Sequence, residues 1–246
     1  MENAQLVALS RQTVLRNQLD VVANNMANIN TSGYKSQRLL FEEYLMPVAE
    51  ATEFPTPDED LSYVHDYASY TNFTAGAIKL SGNEFDLAIE GDAFFAVQLP
   101  DGTEAYTRNG AFHLDNQGML VTSEGQPVLT NGGPIFFNTE DGRVDIARDG
   151  TISTELGARG QIRLARFENP QALVQAGDTL FTGEEPLPVA NVRVVQGAVE
   201  QSNAEGVVEM TRMIEIQRAY TTISKLIKDT DDLRKQAIST LGRLEA

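Results

Sequence analysis

Enzymatic chemistry needs nucleophiles, bases or metal ligands at set spacings, and this sequence of 246 residues holds few of them. Cysteine is absent, and the two histidines, His65 and His113, lie far apart with no second histidine at ligand spacing. No GxSxG, HExxH, P-loop or GxGxxG motif is present. We therefore expect neither histidine to act as a metal ligand or a base.

Carboxylates are the one reactive group in abundance, with 35 Asp and Glu residues. The run Asp115–Gly118 superficially resembles a calcium loop, but it lacks the alternating ligands and the closing Glu, so we predict a tight turn. A glycosidase needs only two carboxylates, which sequence alone does not single out, although tryptophan, a common stacking surface for sugars, is absent. A carboxylate-based hydrolase stays open as an alternative. The expectation is a protein that is not an enzyme and has no cofactor or metal.

Charge and hydropathy argue against two classes of partner. Asp and Glu outnumber Lys and Arg by 35 to 19, for a net charge of −16, so phosphate backbones and anionic membrane surfaces would repel the chain. No apolar run reaches the roughly 20 residues of a membrane span, and the first residues lack the basic and apolar regions of a signal peptide. We expect no nucleic-acid binding, no stable membrane insertion and no cleaved signal peptide.

The elements that carry this chain's pattern are two predicted helices, one at each end, assigned to residues 1–33 and 198–246. From Leu15 to Ile29 the apolar steps are four, three, four and three residues, and similar steps run from Met213 to Ile227. This spacing is typical of a coiled-coil seam. An isolated helix leaves such a face wet, so the pattern favours packing on assembly. A helical hairpin folded onto the rest of the same chain is the alternative.

The middle of the chain has a different texture. Residues 34–70 contain three prolines and an acidic patch, and we predict an extended linker there. Residues 71–197 alternate short apolar stretches with Gly, Asn and Asp turn signals, which indicates an antiparallel all-β domain. The predicted fold class is therefore α+β, with long N- and C-terminal helices forming a coiled-coil-like assembly domain and an antiparallel all-β domain inserted between them.

Several segments resemble the flagellar axial proteins, the family of rod, hook and hook-associated proteins. Ala23–Lys35 is similar to the N-terminal signature, an ANN-LAN core running into a T-x-G-Y/F-K turn, with Met at the usual Leu position. Phe85–Phe95 resembles LDLAIEGDGFF, and Tyr106–Leu129 resembles YTRDGxF followed by GxLVTxxGxPVL. Gln196–Asn203 resembles the QGxLExSN element, and Gln217–Tyr220 matches QRAY. The resemblance covers nearly the whole chain.

This resemblance implies a structural subunit of the bacterial flagellar basal-body rod, most like the proximal-rod type, with the distal-rod type as the close alternative and the hook type less similar. Family members leave the cytoplasm through the flagellar type III export apparatus. They assemble with other rod proteins and with copies of themselves into a hollow tube that transmits torque. Their terminal helices form the inner tube and the β domain faces outward. A soluble binding module or an export cap is the remaining alternative.

The resemblance and the two seams together nominate assembly residues rather than catalytic ones. Asn24, Asn25 and Asn28 are expected to make polar contacts or helix-end hydrogen bonds beside the seam. The full predicted interface set is Leu15, Leu19, Val22, Asn24, Asn25, Met26, Asn28, Ile29, Met213, Ile216, Arg218, Tyr220, Ile223 and Ile227.

Overall fold

The structure, a computed structural model, describes residues 2–46, 61–177, 179–184, 186–187, 189 and 192–244, with side chains described within 5–41 and 69–240. Two long helices, α1 (Glu2–Ala27) and α2 (Gly206–Leu244), flank a series of strands in the chain. The chain divides into two compact units. We call Met1–Met26, Gln37–Tyr70 and Glu205–Ala246 the helical unit, and Ala27–Ser36 and Thr71–Ala204 the β unit.

The helical unit holds both helices and one small sheet. No Gly or Pro interrupts α1, and the turn after it ends at Gly33, whose φ of 68° suits glycine. At about 1.5 Å per residue, the 39 residues of α2 extend for roughly 58 Å. Strands β1 (Gln37–Met46) and β2 (Leu61–Thr71) pair with each other inside the segment predicted as a linker. The prolines of that segment lie outside the described residues.

The β unit is built from short antiparallel strands separated by turns, as the turn signals predict. Its largest sheet has five strands in the order β14-β5-β6-β16-β15, its second has three in the order β11-β12-β13, and the others are pairs, β3 with β18, β4 with β17, β7 with β8 and β9 with β10. The strands are β3 (Ile78–Leu80), β4 (Leu87–Glu90), β5 (Phe94–Gln98), β6 (Glu104–Thr107), β7 (Phe112–Leu114), β8 (Leu120–Thr122), β9 (Leu129–Thr130), β10 (Gly133–Pro134), β11 (Asp145–Ile146), β12 (Thr151–Thr154), β13 (Gly157–Gln161), β14 (Leu164–Ala165), β15 (Val174–Gln175), β16 (Leu180–Thr182), β17 (Arg193–Gln196) and β18 (Ala198–Glu200).

The apolar core lies on both sides of strand β5, because both faces of this strand are buried. Successive side chains of a strand point to opposite faces, and Phe95 and Val97 join one apolar cluster whereas Phe94 and Ala96 join another. In the second cluster the Phe94 ring meets Phe167 edge to face, with centroids 5.9 Å apart. The central sheet therefore carries apolar packing on both sides, which accounts for the unbroken apolar run in this strand.

The C-terminal segment differs from the predicted division. Residues 198–246 were assigned to the helix, yet Ala198–Glu200 form β18 in register with β3, and α2 begins only at Gly206. The predicted α+β class, with a helix at each end and antiparallel sheets between, agrees with the observed elements.

Candidate functional site: the terminal helices and the ionic junction

The two terminal helices are joined by polar contacts along their length. The Arg234 guanidinium donates to Gln5 Oε1 at 2.5 Å, and the Gln12 amide donates to Ser224 Oγ at 3.0 Å. Near the other end of α1, the Asn25 amide approaches Glu209 Oε2 at 3.4 Å. Because positions that rise along α1 meet positions that fall along α2, the two helices run in opposite directions.

The predicted seam residues differ in how far the single chain covers them. Leu15 and Val22 on α1 are buried, whereas Leu19 and Met26 are half-buried, as is Ile29 in the following turn. On α2 the predicted residues Met213, Ile216, Tyr220, Ile223 and Ile227 are all half-buried, and Arg218 is exposed. The α2 stripe thus keeps part of its apolar surface in solvent.

Of the three predicted asparagines, Asn25 has the most defined role. Its side chain is 1 % exposed, donates to the Gln37 carbonyl at 2.9 Å and accepts from the Gln37 N–H at 2.9 Å. This pair of bonds satisfies the first residue of β1 as a neighbouring strand would. Asn28 accepts from the Thr31 hydroxyl at 3.0 Å in the turn after the helix, and Asn24 is exposed.

A group of buried charges in the β unit brings three distant segments together. We call Lys35, Arg108 and Glu200 the ionic junction; their side chains are at most 3 % exposed. The Lys35 ammonium lies 2.6 Å from Glu200 Oε1, and the Arg108 guanidinium lies 3.4 Å from Glu200 Oε2. One carboxylate therefore faces two cations, and the three side chains together carry one net positive charge.

Further polar contacts compensate the burial of these charges. Glu200 Oε1 also accepts from the Gly76 N–H at 2.8 Å, and Lys35 donates to the Thr74 carbonyl at 2.8 Å. Arg108 donates to the Gly91 carbonyl at 2.6 Å and lies 5.1 Å from the centre of the Phe94 ring, while its Nε has no partner among the described residues. Buried charges are tolerated when they are paired and hydrogen-bonded in this way.

Burial dominates the electrostatics of both cations. Loss of solvent lowers the pKa of Lys35, and the Glu200 carboxylate opposes that shift while the nearby Arg108 adds to it. Burial also lowers the pKa of Arg108, against the attraction of Glu200 and Asp92. Because each cation is less favoured here than in water, Glu200 is the group that makes their burial tolerable.

Close backbone contacts lock the same region. The Gly33 N–H donates to the Glu200 carbonyl at 2.8 Å, and a Cβ added at Gly33 would lie 2.2 Å from the Asn109 nitrogen. Asn203 then joins the two sides, since its Oδ1 accepts from the Ser36 N–H at 2.8 Å and its amide donates to the Asn72 carbonyl at 2.7 Å. The turn after α1 and the segment before α2 therefore meet within the β unit.

Sequence reasoning did not nominate the ionic junction as a site. Its members lie in the family-like segments Ala23–Lys35, Tyr106–Leu129 and Gln196–Asn203, yet nothing in their spacing pairs them. Each of the three family-like segments contains one of these charged residues, and this was the available signal. Lys, Arg and Glu are almost never fully buried unless they are paired, so charged residues in core-forming segments suggest ion-pair partners for one another. The run at Asp115 is a turn as predicted, with the Asp115 carboxylate accepting from the Gln117 and Met119 N–H groups.

The structure describes the side chain of one of the two histidines. His113 is exposed on β7, and the His65 side chain lies outside the described residues. Among the residues that the structure describes, no group of three His, Cys, Asp or Glu is arranged to hold a metal ion, and no helix is long and apolar enough to cross a membrane.

Three family comparisons match successive parts of the chain. Residues 6–35 match the family described as flagella basal body rod protein, residues 88–154 match the flagellar hook protein FlgE/F/G D1 domain, and residues 195–240 match the flagellar basal body rod FlgEFG protein C-terminal region. These matches take in most of both helices and all three members of the ionic junction. The class they define is the axial proteins of the bacterial flagellum.

Full-length relatives narrow that class. The chain is 39 % identical to the flagellar basal-body rod protein FlgF of Caulobacter vibrioides, over 99 % of this chain and the whole of that protein. It is 35 % identical to FlgF of Mesorhizobium japonicum over 98 % of this chain and 99 % of the relative, and 34 % identical to FlgG of Borreliella burgdorferi over 95 % and 96 %. The chain belongs to the flagellar basal-body rod protein family.

Proposed function

We propose that this chain is a structural subunit of the flagellar basal-body rod, and that its terminal helices form its contacts with neighbouring subunits. The carrying observation is the surface of α2. Besides its half-buried stripe, α2 exposes large apolar side chains on other faces, including Val207 (83 %), Met210 (53 %) and Leu233 (64 %). A helix that is apolar on several faces is one that further helices cover.

Charge distribution supports the same proposal. Residues 2–27 carry two Arg against one Asp and one Glu, and residues 206–244 carry seven Lys or Arg against five Asp or Glu. The intervening residues 28–205 carry 10 Lys or Arg against 27 Asp or Glu. Helices of many copies can therefore approach without net repulsion, whereas the acidic middle segments repel one another. This arrangement favours an assembly with helices inside and the acidic segments outside.

The proposal extends to the interface residues, the partners and the export route. The interface residues are the seam positions on α1 and α2 together with the helix-end asparagines, packed as a coiled coil into a hollow tube that transmits torque. The partners are other rod proteins and copies of this chain, and the route to the rod is the flagellar type III export apparatus. The comparisons offer no support for a carboxylate-based hydrolase, since the relatives carry the names of rod proteins.

Substitution of one seam residue on each helix tests the proposal. Leu19→Asp or Ile223→Asp places a charge on the apolar stripe, and we expect loss of motility and of rods that contain the chain, because an unpaired charge at a packed interface costs several kcal/mol. Limited proteolysis of each purified variant should still leave a resistant fragment near residues 35–200. Normal motility of cells that depend on either variant would refute the seam assignment.

Leu156→Asp is the matched control, since Leu156 is 65 % exposed in a turn of the β unit between β12 and β13. The same change of side chain there should leave motility intact. If the control abolished motility as fully as the seam variants, the effect of Asp would not be specific to the helices.

A further inference from the structure

A small cavity lies within the helical unit, bounded by α1, the start of β1 and the first turns of α2. It has a volume of about 170 Å³ and is lined by four apolar residues, Val21, Val22, Leu39 and Ile216, and by five polar ones, among them Gln18 and Gln37. An apolar cavity of roughly 150 Å³ accommodates a benzene-sized group, so this one has room for the side chain of a leucine.

Two arginines and one carboxylate, Glu209, line the cavity, so its lining carries one net positive charge in a chain whose net charge is −16. Arg38 lines it and is exposed, and Arg212 lines it while bonded to the buried Glu209 at 2.9 Å. Because Arg212 already has a carboxylate partner, Arg38 is the guanidinium that faces outward. A fitting occupant is an apolar side chain with a carboxylate close beside it.

The distal half of α2 presents such a group on one face. Leu226 and Leu233 are 58 % and 64 % exposed, and the exposed Asp229 lies between them one turn from each. At 3.6 residues per turn, the side chains on this face between residues 219 and 240 include no Lys or Arg, and Lys225 borders the face four residues before Asp229. They are Ala219, Thr222, Leu226, Asp229, Thr230, Leu233, Gln236, Ala237 and Thr240.

We propose that this face of α2 docks on the cavity of a second copy of the chain, with a leucine of the Leu226–Leu233 pair entering the cavity and Asp229 pairing with Arg38. The inference rests on the proposed rod function. Apolar anchors spaced by whole turns and a groove that receives them are the usual elements of helix-in-groove recognition, and the carboxylate adds the charge complement.

This contact has a directional consequence. Arg212 and Ile216 lie roughly 15 to 30 Å along α2 from Leu226 and Leu233 at about 1.5 Å per residue, so a straight α2 does not fill the cavity of its own chain. The two surfaces are different, and a contact between different surfaces of identical chains is heterologous. A heterologous contact that does not close into a ring continues along a helical array, as a tubular rod requires.

The absence of cysteine allows a direct test by thiol cross-linking. Arg38→Cys and Asp229→Cys variants, each with one thiol, are expressed singly and together in cells whose motility depends on this chain, and isolated basal bodies are treated with a short bis-maleimide. The reagent bridges two thiols that lie too far apart for a disulfide, as the arginine stem of an Arg–Asp pair requires, and we expect a dimer of this chain only when both variants are present. Arg38→Cys with Lys228→Cys is the control, since the exposed Lys228 lies on the opposite side of α2 from the docking face, and this mixture should give no dimer.

Charge exchange gives an independent readout if a cysteine variant fails to assemble. Arg38→Glu and Asp229→Arg should each reduce swimming, and the chain carrying both substitutions should recover it, because every copy then offers the reversed pair.

Two results would overturn the docking assignment. One is a set of basal bodies that contain the chain and give no mixed dimer, together with no recovery in the double exchange. The other is a dimer of Asp229→Cys with a different protein, which would make that protein the occupant. Failure of the rod proposal itself would look different, since the chain would then be missing from basal bodies of motile cells.

Discussion

Glu200 holds the ionic junction together, because its carboxylate is the one anion among the three side chains and pairs with both cations. Glu200→Gln keeps the size of the side chain and removes the charge. One oxygen still accepts from Lys35 and the Gly76 N–H, but an amide nitrogen replaces the oxygen that faces Arg108. The two buried cations then keep neutral acceptors in place of the carboxylate, the Gln oxygen and the Thr74 carbonyl for Lys35 and the Gly91 carbonyl for Arg108.

The expected loss is large relative to the stability of a domain. Removal of one partner of a buried ion pair costs about 3–5 kcal/mol, and a folded domain has roughly 5–15 kcal/mol in total. At about 2–4 °C per kcal/mol for a domain of this size, we expect the melting temperature of the β unit to fall by roughly 6–20 °C. Urea unfolding followed by tyrosine fluorescence measures the loss in the full chain, which has seven Tyr and no Trp.

Lys35→Met separates the charge argument from simple loss of packing. Methionine keeps an unbranched apolar stem of similar length, and the remaining Glu200–Arg108 pair is electrically balanced. The Thr74 carbonyl keeps a donor in Asn203 at 3.0 Å. We therefore expect a smaller loss than for Glu200→Gln, roughly 1–3 kcal/mol for the lost charged hydrogen bonds.

Glu90→Gln, at an exposed position on β4, is the control for the substitution itself and should change the free energy of unfolding by no more than about 0.5 kcal/mol. A change in the free energy of unfolding for Glu200→Gln as small as that of this control would contradict the role assigned to the Glu200 charge. A loss for Lys35→Met as large as that for Glu200→Gln would contradict it too, because balance of charge would then have no part in the junction.

Three further substitutions test neighbouring features. Gly33→Ala should destabilise the β unit by more than the ~1 kcal/mol of a positive φ, because the added carbon meets backbone at 2.2 Å, and urea unfolding against Gly82→Ala, which has open space at a similar φ, checks this. Asn25→Ala should cost roughly 1–3 kcal/mol by leaving two polar groups of Gln37 unpaired, seen as faster hydrogen exchange of the Gln37 amide and contradicted by unchanged exchange. The Asn138 N–H and Arg159 hold the pKa of Asp141 below its ordinary value. The stability that the Asp141 carboxylate contributes is therefore present above about pH 4 and is lost as the pH falls through the lower folded value. Asp141→Asn should lose less stability than the native chain between pH 7 and pH 3, and an equal loss in urea titrations at the two pH values would contradict this.

The sequence predicted the parts of this fold that depend on local pattern. Seven-residue spacing on α1 and α2 and the turn signals of the β unit are properties of neighbouring residues, and the helices and antiparallel strands that they predict are both observed. Strand β1 was not predicted, because the run Arg38-Leu39-Leu40-Phe41 has no apolar alternation, although its residues alternate between half-buried and exposed in the structure. The strand takes its pattern from its partners, which a local pattern does not contain.

The ionic junction lay beyond prediction for a different reason. Lys35 and Glu200 are separated by 165 positions, and Arg108 and Glu200 by 92, so no helix or hairpin period relates them. A lone Lys or Glu in a sequence is most often solvent-exposed, and only the tertiary fold converts these three into a buried group. The individual seam residues were predictable as apolar helix positions, but which of them one chain buries and which it leaves partly open was not.

The two ends of the β unit show how a chain with helices at opposite termini offsets the loop-closure entropy of bringing them together. Ser36 and Asn203 lie 167 positions apart and are joined by a 2.8 Å hydrogen bond within the β unit. Bringing the ends of a flexible loop of that length together costs roughly (3/2)RT ln n, or about 4.5 kcal/mol. The apolar core and the ionic junction of the β unit offset this cost when the β unit folds. The residues that follow α1 and the residues that precede α2 then lie next to each other in space. Helices that would be marginal as separate segments in water then need only their own polar and apolar contacts to pair. In the assembly that we propose, the rest of the α2 surface contacts neighbouring subunits.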